Sequence, residues 1–344
     1  MTIEKSKFGQ TKDGKEVELY TLRDGEYSVE VITYGAAIRS IHVPVRGSTR
    51  DVALGFDDMA GYEAHKSYQG ATIGRISNRV ANAQYEMNGK TYHLDKNNGN
   101  ISLHGGFVGF DKQVWTATQE PNALVLTLID KEGTSAGYPG DMEVTTKYTL
   151  DKGELGIEYI ATCSEDTPIN MTNHCYFNLA GHDAGSIVDH KIQIFSHKIT
   201  EVDESITPFG KLMDVTDTPF DFRELTPIAP GLESSNEQLK LAGGYDHNWV
   251  LSDEPYRSLA MAAVAEYDGL SMACLTTKPG VQFYCGNMMT GEVGKNGAVY
   301  AKRTAFCFET QYFPNSVNIP EFPAKLLRRG EVYNHKTVYK FREV

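Results

Sequence analysis

Residues 169–181 read "INMTNHCYFNLAG", opening after Pro168 and closing on Gly181. In an extended chain, successive side chains point to opposite faces. Ile169, Met171, Cys175, Phe177 and Leu179 then share an apolar face, with Asn173 the exception. The other face carries Asn170, Thr172, His174, Tyr176 and Asn178, five uncharged groups able to hydrogen-bond. The stretch reads as a strand with one face in a core and the other offered to something polar. A lone histidine on a strand is more often a satisfied side chain than a reactive one. A whole face of uncharged donors and acceptors suits a sugar or similar polyol, with an imidazole that titrates near neutrality at its centre.

The period of two continues outward. "YSVEVITYG" (27–35), "ALVLTLID" (123–130), "EVTTKYTL" (143–150), "LGIEYIATC" (155–163), "SMACLTTK" (271–278), "VQFYCGN" (281–287) and "TAFCFETQYF" (304–313) all read as strands. Asn88-Gly89 sits between alternating runs in "AQYEMNGKTYHLD" (83–95), the strongest short-range hairpin signal. Asp13-Gly14 and Asn296-Gly297 mark two further turns. Helical patterns are confined to short stretches near 57–65 and 235–243, and no βαβ alternation is visible. The expected fold is all-β: a large antiparallel β-sandwich with few short helices, formed as one domain over residues 1–344.

The chain has 344 residues, 33 basic against 45 acidic, for a net charge of −12 with histidines neutral. That balance argues against non-specific nucleic-acid binding and against anionic membrane surfaces, and says little about a neutral small molecule. No run approaches the roughly 18 apolar residues of a membrane span, and the first twenty residues hold no apolar stretch of signal-peptide length. The five cysteines are odd in number and lack metal-type spacing. The expectation is a reduced, cytoplasmic protein.

Four more segments carry candidate chemistry. In "AFCFETQYF", Glu309 shares a face with Ala305, Cys307, Gln311 and Phe313. A carboxylate among such neighbours is costly unless it is paired, for example with an arginine, or functional. In "ISLHGG" (101–106), His104 precedes a double glycine that lets the backbone turn sharply. In "GRISNRVAN" (74–82), Arg75 and Arg79 flank Asn78, and either arginine is as readily a surface charge as an anchor. In "GGYDHNWVL" (243–251), Asp246 and His247 are adjacent, so only one reaches a given site from an extended segment. By the same alternation, Cys175 is no partner for His174. His104, His174 and Glu309 are metal-ligand types, but no short-spaced pair supports a metal, and none is expected.

Taken in order, "GRISNR", "SLHGG", "TNHCYFNLAG", "YDHNWVL", "PGVQFYCGN" and "FETQYFPNSVN" resemble the aldose 1-epimerase (galactose mutarotase) family. The resemblance runs from "YGAAI" near residue 34 to "RRGEVYNHKTVYKF" at the end. It implies the large β-supersandwich of that family and interconversion of the α and β anomers of free aldoses. His174 would be the acid that protonates the ring oxygen, and Glu309 the base that takes the anomeric hydroxyl proton. Asn78, Arg79, His104, Asp246 and Gln282 match or adjoin sugar-contacting positions, and Tyr176 joins them from the polar face of 169–181. No cofactor or metal is implied. A carboxylate close to His174 would raise its pKa. The partner expected is a monosaccharide, with no nucleic acid and no membrane, bound by a monomer or homodimer. The rivals are a hexose-6-phosphate mutarotase, a glycoside hydrolase using Glu309 and Asp246, and a non-catalytic sugar-binding module.

Overall fold

The computed structural model describes residues 1–65 and 67–344. Three antiparallel sheets dominate it. The first takes its strands in chain order: Thr2–Gln10, Glu16–Asp24, Tyr27–Ile32, Ala37–Val45 and Ser48–Asp51. The second has nine strands. Thr116–Glu120, Ala123–Asp130, Met142–Asp151 and Glu154–Cys163 meander to its middle, where the last strand of the chain, Tyr333–Glu343, inserts. Leu270–Thr276, Ala260–Tyr267, Lys191–Ile194 and Thr226–Pro227 complete it. The third sheet runs Pro208–Asp214, Lys198–Val202, Asp246–Val250, Gly280–Tyr284 and Cys307–Gln311.

Alternating sequence explains the layering. Met142, Val144, Thr146, Tyr148 and Leu150 are buried along one strand, while the residues between them are more exposed. One hydrophobic cluster joins the sheets: Val29 and Ile41 from the first, Val144, Ile157 and Tyr339 from the second, Trp249, Phe283 and Phe308 from the third. Polar bonds stitch the second and third layers, with Tyr339 Oη donating to the Phe308 carbonyl at 2.7 Å and Thr310 Oγ1 2.6 Å from Thr337 Oγ1. All five cysteines are buried and unpaired.

Helices are few and short. Met59–Ala64 is capped by Asp58, and Glu237–Ala242 starts on Asn236 and stops at Gly243 in the left-handed conformation. A third, Ala229–Leu232, has only four residues and carries no periodic signal that a sequence would show. The Asn88-Gly89 hairpin is present between Gln84–Met87 and Lys90–His93, with both turn residues at positive φ. No helix among the described residues is long and apolar enough to cross a membrane.

The opening stretch departs from a regular strand. Only Thr172–Asn173 forms a ladder, with Thr72–Ile73, and Phe177 adds bridges to Ala53 and Phe306. The backbone bonds to several segments in turn, and asparagine side chains add bonds of their own. Asn170 Oδ1 accepts from the Tyr312 N–H at 2.9 Å, and its Nδ2 donates to the Tyr312 carbonyl at 3.1 Å. Asn173 Nδ2 donates to the Gly70 carbonyl, while its Oδ1 accepts from the Cys175 N–H. Such side chains compete with ladder bonds, so an extended but irregular segment results. Its apolar positions still enter the core as the alternation requires.

Candidate active site

The third sheet builds one wall of the site by register. Asn248, Gln282 and Glu309 lie side by side across three strands, as do Asp246, Tyr284 and Cys307. Their neighbours His247, Trp249, Val281, Phe283 and Phe308 are fully buried, and all but His247 join the shared core. These rows face away from the core, and from them Tyr284 and Glu309 line a cavity of about 340 Å³, within the range of small-ligand pockets. Asp246 lines it; His247 does not, its ring packing edge-on against Phe220.

Two loops and the 169–181 stretch close the cavity. Arg79 pairs with Leu103 in a short ladder, which brings Asn78 and His104 together. The Asn78 N–H donates to His104 Nδ1 at 3.1 Å, leaving Nε2 as the free ring nitrogen. Gly105 makes this approach possible: at φ +89° a Cβ would lie 2.1 Å from the Gly74 carbonyl oxygen. From 169–181, His174 and Tyr176 line the cavity, whereas Asn170, Thr172 and Asn178 do not. Asn178 instead donates to the Gly185 and Thr304 carbonyls, and Thr172 lies within 3.4 Å of Tyr148 Oη. The polar face read from sequence is thus a site at two positions and an internal brace at the other three.

The central contact joins His174 Nε2 and Glu309 Oε1 at 3.6 Å, with both side chains almost wholly buried. Glu309 Oε2 is buried with no hydrogen-bond partner. Among the described residues, no arginine is paired with it. Arg79 Nη2 donates to Asp246 Oδ2 at 3.0 Å, and Gln282 Nε2 donates to Asp246 Oδ1 at 2.7 Å. Gln282 is in turn held by Gln311 Nε2 at 3.2 Å, so it stands behind the cavity wall and positions Asp246. On the far side of His174, Nδ1 lies 3.6 Å from the Cys307 thiol, which sets the ring so that Nε2 faces Glu309.

Burial sets the protonation of the pair. It lowers the His174 pKa from 6.5 to about 4, overriding the favourable field of Asp246, and Arg79 adds to the depression. The expected rise in His174 is therefore reversed, because desolvation outweighs the field of Asp246. Burial also pushes Glu309 well above the usual carboxylate range; Asp246 adds to the rise and Arg79 opposes it. His104 is pushed well below 6.5 by burial and by His174 beside it.

Arg75 separates from Arg79 completely. It is buried away from the cavity, with Nε 2.7 Å from Asp130 Oδ2 and donations to the Pro139 and Gly140 carbonyls at 2.8 Å. Tyr68, Tyr284 and Glu292 also line the cavity and were not singled out from sequence. Tyr284 follows Gln282 by two on its strand, a signal that alternation offers; Tyr68 and Glu292 lie outside the alternating runs that the sequence reading used.

Comparisons bear on what this arrangement serves. The aldose 1-epimerase family model matches residues 18–340. The chain is 41% identical over 344 residues to a galactose mutarotase of Mus musculus, covering 99% of both chains. It is 35% identical to an aldose 1-epimerase of Escherichia coli K12, covering 96% of both. The solved galactose 1-epimerase of Lactobacillus acidophilus superposes with a TM-score of 0.85 at 26% identity, covering 100% of this chain and 99% of that one. An aldose epimerase homologue from C. elegans gives 0.86 at 26% identity, covering 95% and 99%. Fold and kinship define a β-sandwich isomerase that interconverts the anomers of aldoses. The chain belongs to the aldose 1-epimerase family.

Proposed function

We propose that this enzyme opens and recloses the pyranose ring of free aldoses such as D-galactose and D-glucose, using Glu309 and His174 as the proton-transferring pair. The observation that carries this reading is the buried, unpartnered carboxylate of Glu309 beside His174 Nε2, both facing a small polar cavity. Ring opening needs one proton to leave the anomeric oxygen as another reaches the ring oxygen. Two groups that share a single proton meet that demand. Burial disfavours charge on both, so the resting pair holds its proton on Glu309 beside a neutral imidazole. Transfer to His174 gives the form with base and acid in the required places, with no change in proton count. Glu309 then takes the O1 proton while His174 delivers its own to O5. Rotation about the C1–C2 bond presents the other carbonyl face, and the reverse transfers close the other anomer.

Substrate positioning falls to Arg79, Asn78, His104, Asp246 and Tyr176. His104, neutral and bonded through Nδ1, offers Nε2–H as a donor to a sugar oxygen. Asp246 is engaged on both oxygens, which supports an anchoring role over that of a hydrolase carboxylate. Gln282 acts through Asp246. We predict that Gln282→Ala raises KM about tenfold and changes kcat much less, as loss of a hydrogen bond to a charged group would. Steady-state polarimetry separates the two.

A neutral aldose fits better than a phosphorylated one. Among the described residues lining the cavity, Arg79 is the one Lys or Arg, and its charge is met by Asp246. Glu292 adds a carboxylate oxygen with no partner. Five free cysteines, all buried, support a reducing, cytoplasmic setting.

The test is polarimetry on freshly dissolved α-D-galactose. Rapid approach to the equilibrium rotation supports the proposal; tracking of the buffer blank refutes it for galactose, and faster turnover of galactose 6-phosphate would overturn the preference for a neutral sugar. The pH dependence follows from the pair. kcat/KM falls below about pH 4 as a second proton occupies the pair, and falls again only well above the ordinary carboxylate range, where Glu309 loses the last one. An acid limb near the ordinary imidazole value would contradict this assignment.

A further inference from the structure

We infer that Tyr68 and Tyr176 stabilise the imidazolium form of His174 through their ring faces, and so act as positioning residues for the proton transfer. The inference rests on the proposed function, because the imidazolium forms when Glu309 hands its proton to His174. Its basis is the packing around that imidazole. The Tyr176 ring lies 4.9 Å from it, centroid to centroid, at 30°, and the Tyr68 ring is stacked on it at 5.9 Å and 29°. At the shorter separation two nearly parallel rings must overlap through their faces, since coplanar rings would clash edge to edge. His104 and Tyr284 meet the same imidazole at steep angles, 75° and 74°.

An aromatic face is electron-rich and attracts a cation within about 6 Å of its centroid, more strongly where water is excluded. His174 is almost wholly buried, and both tyrosines line its cavity. Burial pushes both phenols above their ordinary pKa, so the rings are neutral when the proton moves. The charged groups around His174 divide: Asp246 favours the imidazolium and Arg79 opposes it. Glu309, 3.6 Å away, becomes a carboxylate only as it gives up its proton. Burial keeps the Cys307 thiol at Nδ1 neutral, and it keeps His104 neutral. The two π faces favour the charged imidazole over the neutral one, and that difference is what lowers the barrier to transfer. Lys112 Nζ already lies 5.1 Å from the Tyr68 centroid, so Tyr176, nearer to His174, has the larger effect.

The test keeps the shape of each ring and varies the charge of its face. Tyr176→Phe is the reference for a series in which phenylalanine at position 176 carries successively more ring fluorines, which drain electron density from the face. A second series starts from Tyr68→Phe. The kcat of galactose mutarotation should fall with each added fluorine, by about threefold to thirtyfold across the series at 176 and by less at 68, while KM stays constant along each series. A ring that only packs would not respond, since its shape and apolar character are kept. A flat or rising series in an active enzyme overturns the role of that ring and leaves the Glu309–His174 reading standing. A parent enzyme that merely tracks the buffer blank overturns the proposed function, and this inference with it.

Discussion

Glu309→Gln is predicted to lower the catalysed rate of anomer interchange by about 10²–10⁴ at pH 7, the usual worth of a positioned proton transfer. The fall should appear in kcat, with KM nearly unchanged, because the amide keeps the shape of the carboxyl group and the anchors on Arg79, His104 and Asp246 are untouched. Stability should not fall with it. Burial raises the Glu309 pKa above its unfolded value, so the native state favours the protonated group and pays a cost that grows as pH rises above that value. Glutamine carries no such cost. At pH 7 the thermal midpoint of the variant should equal or exceed that of the parent. A loss of activity accompanied by a loss of midpoint would instead make Glu309 a structural residue.

Arg75→Leu should show the opposite pattern. Arg75 and Asp130 form an ion pair with no appreciable solvent contact, and Arg75 also donates to the Asp130, Pro139 and Gly140 carbonyls. Removing the guanidinium leaves the Asp130 carboxylate buried with Gln113 as its remaining side-chain donor. Breaking one side of a buried pair costs about 3–5 kcal/mol. Denaturant unfolding should show a loss of that order. At temperatures where the variant stays folded, its KM should match the parent's, since Arg75 does not reach the cavity. A variant with parental stability and an impaired KM would assign Arg75 to the sugar site.

These two residues also show where the sequence was legible. Alternation along 305–313 put Glu309 with Ala305 and Cys307, away from Phe306 and Phe308, and the register of the third sheet follows that division. The same rule put Asp246 and His247 on opposite faces, as they are. It worked because both strands pair in continuous register with Gly280–Tyr284. It worked only in part at 169–181, where Asn170 and Asn178 bond to the backbone of other segments and, with Thr172, turn three of the five polar positions to internal use. Arg75 and Arg79 could not be told apart, because their segment is irregular and period two does not apply to it. Tyr68 and Glu292 reach the cavity from outside the alternating runs. Protonation was the least legible property: the His174 pKa depends on the depth of burial, which composition and spacing do not report.

In the proposed mechanism His174 and Glu309 work as a unit on one shared proton. Polarimetry of α-D-galactose with the parent, His174→Gln, Glu309→Gln and the double variant, each corrected for the buffer rate, tests it most directly. Groups that act as a unit are strongly non-additive. Either single change should cost nearly as much as both together. Single losses that multiply in the double variant, or a single variant that keeps the parental rate, would contradict it.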